Sequence, residues 1–331
     1  MAYTTIDDPE AYFQAVLYSG TGSNQAVTLG GDTDMQPDVV WIKSRTNAEW
    51  HNLNDSVRGA DKQLHPNDTS AEIDPSTESF VSFNSDGFTV GTNDNANNDA
   101  ETFVAWCWKE SATAGFDIVS YTGDDTARTI SHSLSAVPHM MIVKARSATY
   151  GWAVYHAGNT SAPETENIWL NSTDATADRT PEWNDTAPTS SVFTLGDGES
   201  VNKDTITYIA YLWSEKHGFS KFGGWTGNGN ADGAFVYTGF RPSMILLKVT
   251  DITGDWRIFD TTRDTYNVAD AIIYPSAANA EGTETFADFL SNGFKIRSSS
   301  DSYNGSGNTY IYAAFAEQPF VNSNGVPCNA R

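Results

Sequence analysis

Apolar side chains recur along this chain in short runs, many alternating with polar ones, and turn residues punctuate the runs. In the middle third, Phe116–Tyr121 reads as a strand stopped by Thr122, Gly123, Asp124 and Asp125, a turn by composition. Thr129–Leu134 alternates polar and apolar, the period of a half-buried strand. Met140–Ala145 is a continuous apolar run and predicts a core strand. Trp152–Tyr155, Ile168–Leu170, Val192–Leu195 and Thr207–Trp213 follow. Seven or so short strands in a stretch of about 105 residues predict an antiparallel sandwich or jelly roll. The last third repeats the pattern at Phe235–Tyr237, Met244–Lys248, Trp256–Phe259, Ala271–Tyr274, Gly293–Arg297 and Tyr310–Tyr312. The first third carries it at Val39–Lys43, Phe80–Phe83 and Ser85–Val90, with a hairpin signal at Asp86 and Gly87. Helical spacing is scarce, and predicts short turns of helix only at Ala11–Leu17 and Phe286–Leu290.

The landmarks of these runs come in threes. A proline, a lysine six residues on and then a tryptophan appear as Pro37, Lys43 and Trp50, as Pro138, Lys144 and Trp152, and as Pro242, Lys248 and Trp256. An aromatic or apolar strand closed by a glutamate ends each pass, at Glu110, Glu215 and Glu317. The prolines lie 101 and 104 positions apart and the glutamates 105 and 102. A fixed period with a fixed internal order indicates duplication, and this period is the size of a domain that owns a core. The sequence therefore predicts an all-β protein of three tandem, related, antiparallel sandwich or jelly-roll-like modules. Their spans are 1–111, 112–217 and 218–331, the last including a C-terminal tail. Lys216, His217 and Gly218 leave little slack between the second and third modules, which predicts a fixed mutual orientation.

Composition narrows the function classes. The net charge is −23, so a phosphate backbone is repelled and nucleic acid is not an expected partner. Hydrophobic residues make up 39%, enough for packed cores and too many for disorder. No run reaches the length of a membrane span, so membrane insertion is not expected. The acidic opening, Met1 to Asp8, lacks the basic region of a Sec signal. Two cysteines exclude a disulfide framework, and Cys107, alternating with Trp106 and Trp108, reads as a buried thiol on the opposite face of its strand.

The repeated lysines read as structural: each stem covers core while the head reaches solvent or a carboxylate, Glu110, Glu215 and Glu317 being candidate partners. Most tryptophans read as core, whereas Trp183 and Trp225 fall in polar stretches and are the candidates for stacking on a glycan ring. The segment 91–101 is loosely like a calcium loop but lacks its glycine and ligand order, and reads as a solvated turn. Gly-x-Ser-x-Gly, His-Glu-x-x-His, a phosphate-binding glycine loop and Cys-x-x-Cys are all missing from the sequence, and the six histidines are scattered. The expectation is a protein without catalytic residues, cofactor or metal.

Several phrases resemble an uncharacterised module family from the structural gene region of tailed phages of aquatic bacteria. They include Tyr3–Pro9, Gln36–Arg45, Asp55–Ala60, Gly218–Phe222, Tyr237–Pro242, Asp288–Phe294 and Ala314–Phe320. The resemblance implies a virion protein exposed on the particle, assembled in the host cytoplasm, with other virion proteins and a host glycan or receptor as partners. A tail fibre or receptor-binding protein is the first expectation and a head decoration protein the alternative; a polysaccharide depolymerase ranks third. Threefold duplication adds the expectation of a homotrimer or of a single chain that mimics one.

Overall fold

The computed structural model describes residues 2–75 and 78–328. Strands take up 42% of it and helices 6%, and every named strand pair is antiparallel, so the fold is all-β. Three large sheets dominate. The first orders its strands Phe13–Ser19, Thr102–Trp108, Val39–Ser44 and Asn52–Asp55. The second begins Phe116–Thr122, Thr207–Trp213, Met140–Ala145 and Ala153–His156, and adds Glu166–Trp169 and Ala177–Asp178 at its edge. The third reads Ser220–Thr226, Thr309–Pro319, Phe240–Val249 and Arg257–Asp260. Registers match across the three: Lys43 lies opposite Val104, Lys144 opposite Ile209 and Lys248 opposite Ile311.

Of the two predicted turns of helix, Phe286–Leu290 is strand, and in Ala11–Leu17 only Ala11 is helical, at the end of a 3-10 turn Pro9–Ala11, with strand from Phe13 on. Phe13–Ser19 pairs along its full length with Thr102–Trp108, and Gly282–Leu290 forms a hairpin with Gly293–Ile296. Their apolar spacing fits either structure. A neighbouring strand supplies partners for the backbone groups, and that decides the case. Pro37 and Pro138 stand just outside their strands, as expected of a residue without an amide hydrogen. Pro242 departs from this, lying inside Phe240–Val249 where the register shifts on either side of it. A bulge removes the need for a ladder bond at that position.

Period-two alternation gives each large sheet two apolar faces. One face carries Trp41, Trp106 and Trp108 in the first sheet, Met140, Ile142, Tyr211 and Trp213 in the second, and Met244, Leu246 and Phe315 in the third. These faces meet in one core, around an apolar cavity of about 30 Å³. Sheets of three and two strands cover the opposite faces of the first and second, and a further four-stranded sheet, ordered Phe235–Tyr237, Gly293–Ile296, Gly282–Leu290 and Ala269–Ile272, packs with the third, giving sandwich-like layers. Val40, Ile42 and Cys107 pack with Phe80 and Phe88, and Met141, Val143 and Leu212 pack with Phe193 and Leu195. Cys107 is thus a buried free thiol on the face away from Trp106 and Trp108, and burial pushes its pKa well up.

Polar contacts at the seams close the three sheets into a triangle. Between the first and second, Trp152 Nε1 donates to His65 O at 3.0 Å and Asp68 O at 2.9 Å, Tyr211 donates to Asp55 at 2.6 Å, and Arg146 clasps Glu72 with two 2.9 Å bonds. Between the second and third, Trp256 Nε1 donates to Trp169 O at 2.9 Å and His156 Nε2 bonds Tyr312 O at 3.0 Å. Between the third and first, His51 Nε2 bonds Tyr274 O and Ala277 O at 3.0 and 3.1 Å, and Trp106 Nε1 donates to Asp260 at 3.1 Å. Arg45 clasps Glu281 there at 2.7 and 2.8 Å, as Arg146 does Glu72. The last strand of the chain therefore packs against the first, and Phe13 stacks on Phe315 with centroids 5.1 Å apart.

Candidate functional site

The three repeated lysines are fully buried, heads included, so they do not reach solvent as the sequence suggested. Each ammonium donates to the carbonyl of the next residue: Lys43 to Ser44 O at 2.7 Å, Lys144 to Ala145 O at 2.9 Å and Lys248 to Val249 O at 2.9 Å. A second carbonyl completes each set, Asn47 O at 3.0 Å, Thr69 O at 3.1 Å and Thr173 O at 3.4 Å. For Lys144 and Lys248 that carbonyl belongs to the preceding sheet's loop. Burial lowers all three pKa values to about 8, since carbonyl dipoles compensate the lost hydration only in part.

The closing glutamates have other partners than these lysines. Glu215 takes Lys221 at 2.8 Å and Glu317 faces Arg241 at 3.2 Å. Glu110 is hydrogen-bonded to Asp117; burial first, then that bond and the like charge of Asp117, push Glu110 up to about 7. The pair ties the end of Thr102–Trp108 to the start of Phe116–Thr122, and Asp117 is further fixed by the backbone amides of Ile118 and Ser133.

Neither tryptophan singled out for glycan stacking is accessible. Trp183 ends the helical turn Thr180–Trp183 and packs edge-on against Tyr155, while Trp225 lies in Ser220–Thr226, donates to Tyr303 O at 2.9 Å and stacks on Tyr310. Polar neighbours in sequence made both look like loop residues; each instead roofs or fills a sandwich layer. Trp50 errs in the opposite direction. It is 43% exposed, because at that seam the neighbouring His51 makes the bonds that Trp152 and Trp256 make elsewhere.

The acid-rich segment 91–101 folds around a buried side chain that the sequence reading missed. Asn97, in the helical turn Asp94–Asn97, donates to Ser23 O and Gly91 O, both at 2.6 Å, and accepts from Thr21 N at 2.9 Å. Asn202 does the same with Thr126 O, Gly196 O and Asp124 N, and Asn304 with Asn230 O, Ser298 O and Asn228 N. A signal existed: these asparagines stand 105 and 102 positions apart, as the glutamates do. Among the described residues no three His, Cys, Asp or Glu side chains gather in a metal-binding group, and no helix is long and apolar enough to cross a membrane.

Surface grooves among the described residues include two that are comparable in size to small-ligand sites. One, of about 400 Å³, lies between the first and third sheets, beside Gln14, Gly31, Thr262 and Glu317. The other, of about 480 Å³, lies near the start of Phe240–Val249 and the end of Gly282–Leu290, beside Arg241, Tyr266, Asn267 and Asn292.

Architecture and side chains together define the class: an all-β protein of layered antiparallel sheets whose repeated polar residues hold backbone. The chain belongs to the family described as a domain of unknown function, DUF7483, whose model matches residues 8–319. No curated protein matches it.

Proposed function

We propose that this chain is an exterior structural component of a tailed-phage virion, a tail-associated receptor-binding part that works by adhesion and not by catalysis. The reading begins from the sequence phrases that resemble phage structural proteins. The observation that carries it is the closed triangle of seams, in which recurring side chains lock three sheets onto one core. A part exposed to shear and lysis needs such a body, rigid and soluble, and the net charge of −23 favours the second property.

Within this reading the body consists of three related modules, 1–111, 112–217 and 218–331, and it stands in for a trimer with one chain. Supporting observations are the shared strand order of the large sheets, the three buried lysines and the three asparagine clamps. Its partners are other virion proteins and a host surface glycan or receptor, and it is assembled in the host cytoplasm.

The test is adsorption. Purified protein should bind host cells and reduce phage infection when added first; no adsorption at micromolar concentration removes the receptor-binding role. A second reading, head decoration, is favoured by the packing of all three sheets onto one core, a shape without a stalk among the described residues. Cryo-EM of the particle separates the two readings by placing the chain on the tail or on the capsid.

A further inference from the structure

Most large aromatic side chains among the described residues are buried or half-buried, and the exposed ones are concentrated in one place. Among the described residues the exposed large hydrophobic side chains include four aromatic ones, Trp50, Phe235, Tyr237 and Tyr266; Tyr266 lies beside the turn at 291–292, and Phe235 and Tyr237 lie on the strand that pairs with Gly293–Ile296 just after it. Phe235 and Tyr237 share the outward face of the strand Phe235–Tyr237, while Val236 between them is buried. That strand pairs with Gly293–Ile296, and Asn292 O accepts from Thr238 N at 3.0 Å and Gly239 N at 3.2 Å. Beside the same turn lies the groove of about 480 Å³, with Tyr266, 84% exposed, on its rim.

Tyr266 is held out by a braced loop. Asp264 accepts from Asp270 N and Ala271 N, both at 2.8 Å. Asn267 donates to Phe289 O at 3.0 Å and accepts from Phe289 N at 2.8 Å. The fold does not need an aromatic residue here. Arg263, buried against Asp260 and donating to Ile258 O, repeats the arrangement of Arg58 with Asp55 and Leu53 O. Three positions beyond Arg263 stands Tyr266, and three beyond Arg58 stands Asp61.

We propose that this groove is a saccharide-binding site that takes a neutral pyranose unit of a surface polysaccharide, a claim that rests on the adhesion reading for the source of the sugar. Its volume lies within the usual range for small-ligand sites, roughly 300–1,000 Å³. The Tyr266 ring offers an apolar face to the C–H face of a sugar, and the phenol a polar tip. Asn292 brings an amide to the groove, a group suited to sugar hydroxyls. The charge argument selects a neutral unit: Arg241 faces Glu317 at 3.2 Å, and the surrounding field of a −23 protein repels anions. A braced exposed aromatic lowers the ordering cost of binding, which matters for a ligand with few contacts.

The experiment titrates the full chain with the methyl glycosides of glucose, galactose, mannose and N-acetylglucosamine, read by saturation-transfer NMR. At least one should bind with Kd of about 1–10 mM, or −4 to −3 kcal/mol. Tyr266→Ala should weaken it at least tenfold, about 1.4 kcal/mol, with Tm unchanged, while Tyr266→Phe should retain it and Asn292→Ala should weaken it. Binding by none of the four, or equal binding by Tyr266→Ala, overturns the site. Host adsorption that survives periodate oxidation of the cells would assign a protein receptor and overturn it too. The two claims fail separately: a chain located on the particle that binds no glycoside sinks the site alone. A chain that binds sugar through Tyr266 but is missing from the particle sinks the virion reading alone.

Discussion

A buried ammonium is stable here because two carbonyl oxygens reach it, as at Lys144 with Ala145 O and Thr69 O. Replacing Lys144 by Met leaves both carbonyls without that donor, and urea denaturation should show a loss of about 1–3 kcal/mol at pH 7. The pH dependence has a definite sign. The folded pKa, about 8, is below the ordinary lysine value of 10.5, so between the two the unfolded chain holds more protons. The burial penalty is fully present below pH 8 and is relieved as pH rises toward 10.5. Wild type should therefore gain stability relative to Lys144→Met over that window; a pH-independent difference would show that the ammonium is not held as described. The positions of the three lysines were legible in the sequence, whereas their partners were not. A carbonyl in a loop 75 positions away leaves no mark on the residues around Lys144.

At the scale of the element, strands were readable because alternation and turn residues are local properties. Each of the runs at Val39–Ser44, Met140–Ala145 and Phe240–Val249 is a strand for the reason its pattern suggested. The failures at Ala11–Leu17 and Phe286–Leu290 came where pattern was ambiguous and pairing decided. The asparagine clamps join elements to one another, and close-packed glycines accompany them. A Cβ at Gly20 would stand 2.0 Å from Asn98 O, at Gly123 2.2 Å from Lys203 O and at Gly227 2.1 Å from Gly305 O. Backbone cannot yield as a side-chain tip can, so Gly123→Ala should lower Tm and cost more than about 1 kcal/mol. Asn202→Ala, which strips a donor from Thr126 O and Gly196 O, should cost about 1–3 kcal/mol. Full stability in either variant would mean that the turn is not packed in this way.

For the whole molecule, the shared core implies that the sheets stand or fall together. Calorimetry should give one transition, with calorimetric and van't Hoff enthalpies equal; three separable transitions would contradict a common core. Two seams carry neutral histidines, His51 and His156, lowered by burial to about 3 and about 4. Below pH 6.5 the unfolded chain takes up protons that these sites exclude, so their contribution is present above 6.5 and is lost as pH falls. The stability advantage of wild type over His156→Gln should shrink between pH 6.5 and 4 by about 1.4 kcal/mol per unit. A constant advantage would place His156 outside the seam. Glu110 acts in the opposite sense. Raised to about 7, it favours the folded state below pH 4.5, an effect lost as pH climbs through 7. Single-histidine variants isolate the seam effect from this one.

The sequence by itself determined the core strands whose alternation is unambiguous, the burial of Cys107 and the recurrence of landmarks about a hundred positions apart, because each depends on near neighbours or on counting. Tertiary structure alone decided what those landmarks touch: which carbonyls hold Lys144 and Lys248, why Glu215 and Glu317 bond other cations, and why Trp183 is inside and Trp50 outside. Exposure and hydrogen-bond partners are set by residues distant in the chain. Tyr266 shows the consequence most plainly, since nothing beside it in the sequence marks it as the most exposed large aromatic side chain of the described residues.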